Sequence, residues 1–308
     1  MATEYRLLTY RDGKRALPGV LIGERVYPAA ALLKGVEGID VGSVLGILQS
    51  WPAAHAKLSA AAASVRATDG KPLPEVMLLA PILYPGALFC AGANYWDHME
   101  EMAKAQGLTV DRAKRPKDPW FFLKTAAHSI IGPGAPAKMP AASKQVDWEA
   151  ELGVVIGRAG RDLPVARAME LVAGYTIVND LSARDLMRRE DRIGTPFTFD
   201  WIGQKCFDDA APMGPWITPA AYIADPANIS VKLWVNGVLK QDSNTKQLVH
   251  SIPEQISYLS HRVTLRPGDV IATGTPSGVG MPRGEFLKHG DTVKIEIGGC
   301  GTLTTPIV

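Results

Sequence analysis

Apolar and polar positions alternate most regularly between Asp147 and Ile156. Asp147, Glu149 and Glu151 share one parity, and Trp148, Ala150, Leu152, Val154 and Ile156 share the other. A repeat of two is the strand repeat, so the pattern predicts a β-strand carrying carboxylates on one face. At a rise of about 3.3 Å per residue, Glu149 and Glu151 would stand about 7 Å apart. Two anions that close repel one another unless a positive charge lies between them. A second strand-like run, Tyr175 to Asp180, also ends in a carboxylate.

Elsewhere the pattern breaks the chain into short elements. Residues 4–28 read as a strand meander interrupted by Gly13, Gly19, Gly23 and Pro28. Two helices are expected, over 41–51 and over the alanine-rich 53–68, where alanine favours helix. The Asp69-Gly70-Lys71-Pro72-Leu73-Pro74 stretch then places a boundary near residue 73 between a small N-terminal domain, 1–73, and a larger one, 74–308. Packing of 1–73 directly on the main sheet is the alternative.

Short strands are expected at 76–79, 87–91 and 121–124, and a mobile lid at 102–119. A helix over 164–173 should be closed by Gly174, and Ser182-Ala183-Arg184-Asp185 has the form of a capping box opening a charged helix. Arg188, Arg189 and Arg192 would form its solvated face. Residues 194–203 read as a second lid, Asn236-Gly237 as a hairpin turn, 251–259 as a helix and 265–280 as a turn, strand and glycine-rich loop. A closing hairpin is expected over 291–307.

Composition narrows the class without naming a chemistry. The 308 residues are 46% hydrophobic and 21% charged, with a formal net charge of +2, the makeup of an ordinary globular chain. No Lys or Arg run is long enough to track a phosphate backbone, so nucleic acid is not an expected partner. No apolar stretch approaches the ~20 residues of a membrane span. Without the basic start and apolar run of a signal peptide, the N-terminus suggests a cytoplasmic protein. Three widely spaced cysteines, Cys90, Cys206 and Cys300, suit neither a disulfide framework nor a metal knuckle.

The candidate chemistry is carboxylate chemistry. Glu149, Glu151 and Asp180, with no neighbouring Cys or His, describe an oxygen-only site for Mg²⁺, Mn²⁺ or Ca²⁺ and argue against zinc. His98 and Glu101, three apart on an expected helix, face the same way, so the carboxylate can orient the imidazole as a general base. Lys205 lies among Trp201, Ile202, Cys206 and Phe207, which points to burial and hence to an anion nearby. Arg184 is close enough in sequence to Asp180 to pair with a ligand carboxylate or meet an anionic substrate. The amides of the glycine-rich loop around Gly274 can hold a carboxylate.

These stretches together resemble the fumarylacetoacetate hydrolase family. The resemblance is carried by Gly92-Ala93-Asn94-Tyr95-Trp96-Asp97-His98, Phe122-Leu123-Lys124, Asp147 through Leu152, and Gly174 through Asp185. Lys205, Gly214-Pro215-Trp216 and Pro267 through Gly280 add to it, all in the family's order across residues 85–308. It implies an α+β fold, a mixed β-sheet roll of that family's C-terminal type with a small N-terminal α/β domain, working as a homodimer. By the same matching, Mg²⁺ or Mn²⁺ would be held by Glu149, Glu151 and Asp180, and His98 with Glu101 would activate water. Lys205 would stabilise an anionic intermediate, and the substrate would meet Lys124, Arg184, Gly274 and Thr275. Many relatives carry Gln where this chain has Met187.

The implied activity is hydrolysis of a carbon–carbon bond in a 2,4-dioxo acid of the acylpyruvate type, by way of an enolate. The alternative is isomerisation or decarboxylation of an unsaturated 2-oxo dicarboxylate from aromatic breakdown. A small-molecule 2-oxo acid is the expected partner in both.

Overall fold

The structure is a computed structural model describing residues 3–191 and 193–308. Arg192, expected on a solvated face, lies outside the described residues, as do Met1 and Ala2 of the N-terminal segment.

The chain opens as the expected meander, β1 (Tyr5–Asp12), β2 (Arg15–Ile22) and β3 (Arg25–Pro28), followed by α1 (Ala29–Leu32), α2 (Val44–Gln49) and α3 (Trp51–Ala62). Both of the latter helices are shorter than their apolar pattern suggested. Ser43 caps α2 by accepting from the Gly46 amide, which starts the helix at Val44. Two-residue strands β4 (Lys71–Pro72) and β5 (Leu78–Leu79) lead to β6 (Leu88–Gly92) and α4 (Trp96–Ala105). The helix takes up the first residues of the segment expected to be a lid.

Next come β7 (Trp120–Lys124), α5 (Ala126–Ser129), β8 (Ile130–Ile131), β9 (Val146–Asp147), β10 (Ala150–Ile156), α6 (Val165–Ala168), β11 (Val172–Asn179) and β12 (Ser182–Ala183). The remainder holds α7 (Trp201–Lys205), β13 (Ala211–Pro219), β14 (Ser230–Val235), β15 (Val238–Asn244), α8 (Ile252–Ser260), β16 (Val270–Ala272), β17 (Thr292–Ile297) and β18 (Gly301–Pro306).

Among the described residues these strands form one large mixed sheet in the order β4-β3-β2-β1-β13-β11-β10-β16-β6-β7, with β5 on β1 and β8 on β13. A four-stranded antiparallel sheet, β15-β14-β17-β18, stands apart. The fold is thus the expected mixed α+β arrangement. Its central strand, β10, is buried along its whole length between β11 and β16. One apolar core joins the β10 side chains Leu152 and Val154 to Val231, Leu233, Ile295 and Leu303 of the smaller sheet. A second joins Leu7, Val20, Ile47 and Trp51 to Val155, Val178, Ile217 and Val270. The N-terminal strands therefore continue the main sheet through β1 and β13, paired at Leu7 and Ile217, and share its packing.

Two local expectations are corrected. Gly174 does not close a helix: α6 passes into a 3₁₀ turn over Met169–Leu171, and Gly174 lies within β11. A side chain there would meet the Thr218 carbonyl of β13, so glycine permits the strands to approach. Ser182 opens no helix either, since Ser182–Ala183 pair with Asp147 and Val146 as a strand. Its hydroxyl donates to Glu149 Oε1 at 2.9 Å, a distant partner that a local capping pattern cannot anticipate. No helix among the described residues is long and apolar enough to cross a membrane.

Candidate metal and acid–base site

The run that predicted one continuous strand is interrupted at Trp148 and Glu149. Three successive amides there bond to side chains instead of a neighbouring strand. Trp148 N donates to Asp147 Oδ1 at 2.8 Å, Glu149 N to Asn179 Oδ1 at 3.1 Å and Ala150 N to Gln241 Oε1 at 3.0 Å. The break satisfies buried donors and frees the backbone to turn Glu149 inward. Asp180 follows the last residue of β11, and its amide donates to the Glu149 carbonyl at 2.9 Å.

Carboxylate oxygens of Glu149, Glu151 and Asp180 consequently lie within 4.8 Å of one another, all three residues buried. Lys205, on α7, enters this group: its ammonium is 2.8 Å from Asp180 Oδ2 and 3.1 Å from both Glu149 oxygens. Arg184 Nη2 is 2.7 Å from Glu149 Oε1, and its Nε donates to Asp147 Oδ2 at 2.9 Å. Lys124 Nζ lies 2.9 Å from Asp180 Oδ1 and donates to the carbonyls of Leu181, Lys205 and Ala210. That puts Lys124 behind Asp180, fully buried, as a support for the carboxylate instead of on the cavity wall.

Four buried acids, Asp147, Glu149, Glu151 and Asp180, thus face three bases, the buried Lys124 and Lys205 and the partly buried Arg184. The acid without a basic partner among the described residues is Glu151, which accepts only the Gly274 amide, at 2.9 Å. Burial pushes the Glu149 carboxyl up, but Lys205 and Arg184 outweigh it and hold it at about 2. Glu151 goes the other way: burial first, then Asp180 and Glu149, raise it well above the usual carboxylate range. Burial depresses Lys205, yet Asp180 and Glu149 leave it above its ordinary value. An all-oxygen donor set with one negative charge unmet fits a hard divalent cation.

His98 and Glu101 come from α4. Asp97 fixes the start of that helix, accepting from His98 N at 2.8 Å and from the Ser243 hydroxyl at 2.6 Å. His98 Nδ1 lies 3.9 Å from Glu101 Oε2, too far for a hydrogen bond, and is buried without a partner. Glu101 Oε2 accepts from the Gly278 amide at 2.9 Å. The expected pair is therefore brought together but not bonded. Burial raises the Glu101 carboxyl, and the neighbouring imidazole and the Gly278 amide bring it below its ordinary value.

The glycine-rich loop after β16 lies beside both groups. Gly274, at φ +102, spends its amide on Glu151. The Thr275 hydroxyl donates to the Ala150 carbonyl at 3.1 Å and receives Gln241 Nε2 at 2.9 Å. Asp147, fully buried, gathers the amides of Gly280 at 2.6 Å and Met281 at 3.1 Å, besides Trp148 and Arg184. Asn179, Gln241 and Asp147 were missed as site residues, or read only as part of a strand face. Their partners lie 30 to 134 positions away in the sequence, apart from the neighbouring Trp148.

His98, Glu149, Arg184, Lys205 and Thr275 line one cavity of about 210 Å³. Its remaining wall includes Trp120, Phe122, Met187, Trp201 and Gln204. The cavity thus brings together an acid–base group, one carboxylate of the cation-binding cluster and an apolar wall.

Residues 87–308 match the family model described as fumarylacetoacetate (FAA) hydrolase C-terminal. A mitochondrial oxaloacetate tautomerase of Xenopus laevis is 42% identical over 236 residues, covering 76% of this chain and 69% of the relative. A maleylpyruvate hydrolase from a Sphingobium species, solved with manganese(II) and pyruvate, superposes with a TM-score of 0.75. It is 30% identical and covers 98% of each chain. A 5-carboxymethyl-2-hydroxymuconate delta-isomerase from Mycobacterium smegmatis gives a TM-score of 0.71 at 32% identity, over 98% of this chain and 99% of that one. With the family match spanning the whole carboxylate and acid–base region, the chain belongs to the fumarylacetoacetate hydrolase family.

Proposed function

We propose that this chain is a divalent-metal-dependent enzyme that moves a proton at carbon 3 of a short 2-oxo acid, interconverting its keto and enol forms. The observation that carries the reading is one small cavity lined by both an unbonded imidazole, His98, and Glu149, whose carboxylate is grouped with those of Glu151 and Asp180. The tautomerase activity named for the Xenopus relative favours the same step.

A divalent ion held by Glu149, Glu151 and Asp180 would supply Lewis acidity toward the oxygens of a 2-oxo acid. The protein's own groups do the rest. His98 Nδ1 points toward Glu101, which leaves Nε2 for the cavity, so the ring can take and return a carbon-bound proton there. Shortening of the 3.9 Å gap to Glu101 on substrate binding would hold the charged imidazole. Lys205 and Arg184 keep Glu149 ionised at neutral pH, so it stays a ligand and not a proton donor. Trp120, Phe122 and Trp201 supply the apolar side of the cavity, against which the carbon chain would lie.

A second reading is hydrolysis of a 2,4-dioxo acid, in which His98 would deliver water to carbon 4. It is favoured by the maleylpyruvate hydrolase among the similar structures. Both are tested by following ultraviolet loss of enol-oxaloacetate, and pyruvate release from 2,4-dioxopentanoate, with Mg²⁺ or Mn²⁺. His98→Ala should slow the reaction about 10²–10⁴-fold. Absence of acceleration with either compound would remove the reading, and pyruvate release without tautomerisation would select the second.

A further inference from the structure

One polar side chain on the cavity wall stands outside the network of acids and bases. Gln204, the fourth residue of α7, is 1% exposed and lines the cavity beside Lys205. Its Oε1 is buried and has no hydrogen-bond partner among the described residues. Native folds rarely leave a buried amide oxygen unpaired, and such a group calls for something that completes it.

Its surroundings limit what that something is. Trp120 and Trp201 have ring centroids 4.7 Å apart, and Phe122 stacks on Trp201 at 5.9 Å. The cavity-lining cations, Arg184 and Lys205, are both committed to carboxylates. The Gln204 amide is therefore an uncommitted hydrogen-bonding group on a largely apolar wall. A 2-oxo acid whose carboxylate and 2-oxo oxygens lay on the Glu149 side of the cavity would place carbons 3 and 4 toward the remaining wall, which includes Gln204.

Building on the 2-oxo acid reading above, we infer that Gln204 is a substrate-binding residue whose amide bonds an oxygen on carbon 4. An amide can turn to present either Oε1 or Nε2, so it accepts from an enol hydroxyl or donates to an oxo or carboxylate oxygen.

The test is calorimetric binding to Mg²⁺-loaded protein carrying His98→Ala, so that ligand is not consumed. The ligands are 2,4-dioxopentanoate and 2-oxopentanoate, equal in length and differing in the carbon-4 oxygen. Gln204→Leu should weaken the first by about tenfold, the upper range for one neutral hydrogen bond, and leave the second unchanged. Gln204→Ala should give the same split between the two ligands. Melting of the ligand-free leucine variant should be no lower than that of its parent, since no protein bond is lost.

Equal weakening of both ligands, weakening of neither, or a lower melting temperature overturns the assignment while the 2-oxo acid reading stands. If the His98→Ala parent binds neither ligand with Mg²⁺ or Mn²⁺, the reading fails and takes the assignment with it.

Discussion

Replacing Lys205 with methionine keeps most of the apolar stem and removes the ammonium that sits 2.8 Å from Asp180 and 3.1 Å from Glu149. The side chain is 4% exposed, so water cannot take its place freely. Breaking a buried ion pair from one side costs about 3–5 kcal/mol, because a charge is left uncompensated. In a chain of this size roughly 2 °C of melting temperature accompanies each kcal/mol, so Lys205→Met should melt about 6–10 °C below the parent in chelator. The variant leaves four buried acids facing two bases, and a divalent ion restores the missing charge. Added Mn²⁺ at about 100 times its Kd stabilises a protein by about 2.7 kcal/mol. It should raise the variant further than the parent, narrowing the gap. Thermal unfolding at pH 8, with chelator and then with Mn²⁺, reads both quantities. Equal melting temperatures in chelator, or a gap that Mn²⁺ leaves unchanged, would refute the charge balance described for this site.

Three further outcomes follow from the same geometry. Glu151→Gln keeps an acceptor for the Gly274 amide but removes the acid with no basic partner; calorimetric Mn²⁺ uptake should be lost, while melting in chelator should not fall. Gly274→Ala forces a side chain to φ +102 and 2.9 Å from Asn94 Cβ, so a loss of about 1–3 kcal/mol is expected by chemical unfolding, together with weaker metal uptake. Glu254 is held below its ordinary carboxylate value, burial being outweighed by Arg115 at 2.5 Å and by Ser251. A depressed carboxylate contributes stability that is present above about pH 4.3, the unfolded value, and is lost as pH falls below it. Glu254→Gln should flatten that acid limb of the stability profile, and an unchanged limb would rule out this contribution.

The three carboxylates were legible because local spacing marked them: two from alternation in one strand, the third from the end of a second apolar run. Burial of Lys205 was legible from its apolar neighbours. The break in the strand at Glu149 was not, because it depends on Asn179 and Gln241 reaching across from other elements. Ser182 illustrates the same limit. Its local motif favours a helix start, and the pairing with Val146–Asp147 and the bond to Glu149 override it. The expected contact between Lys124 and substrate came from the family resemblance, which carries no information on where this side chain points. In the fold its ammonium is enclosed by three carbonyls and Asp180.

Glu151 lies in β10, Glu149 just before it and Asp180 just after β11, whereas Met187, Trp201 and Gln204 sit on short segments outside the main sheet. A replacement at Met187 or Gln204 therefore alters the cavity wall without touching the strands that carry the carboxylates.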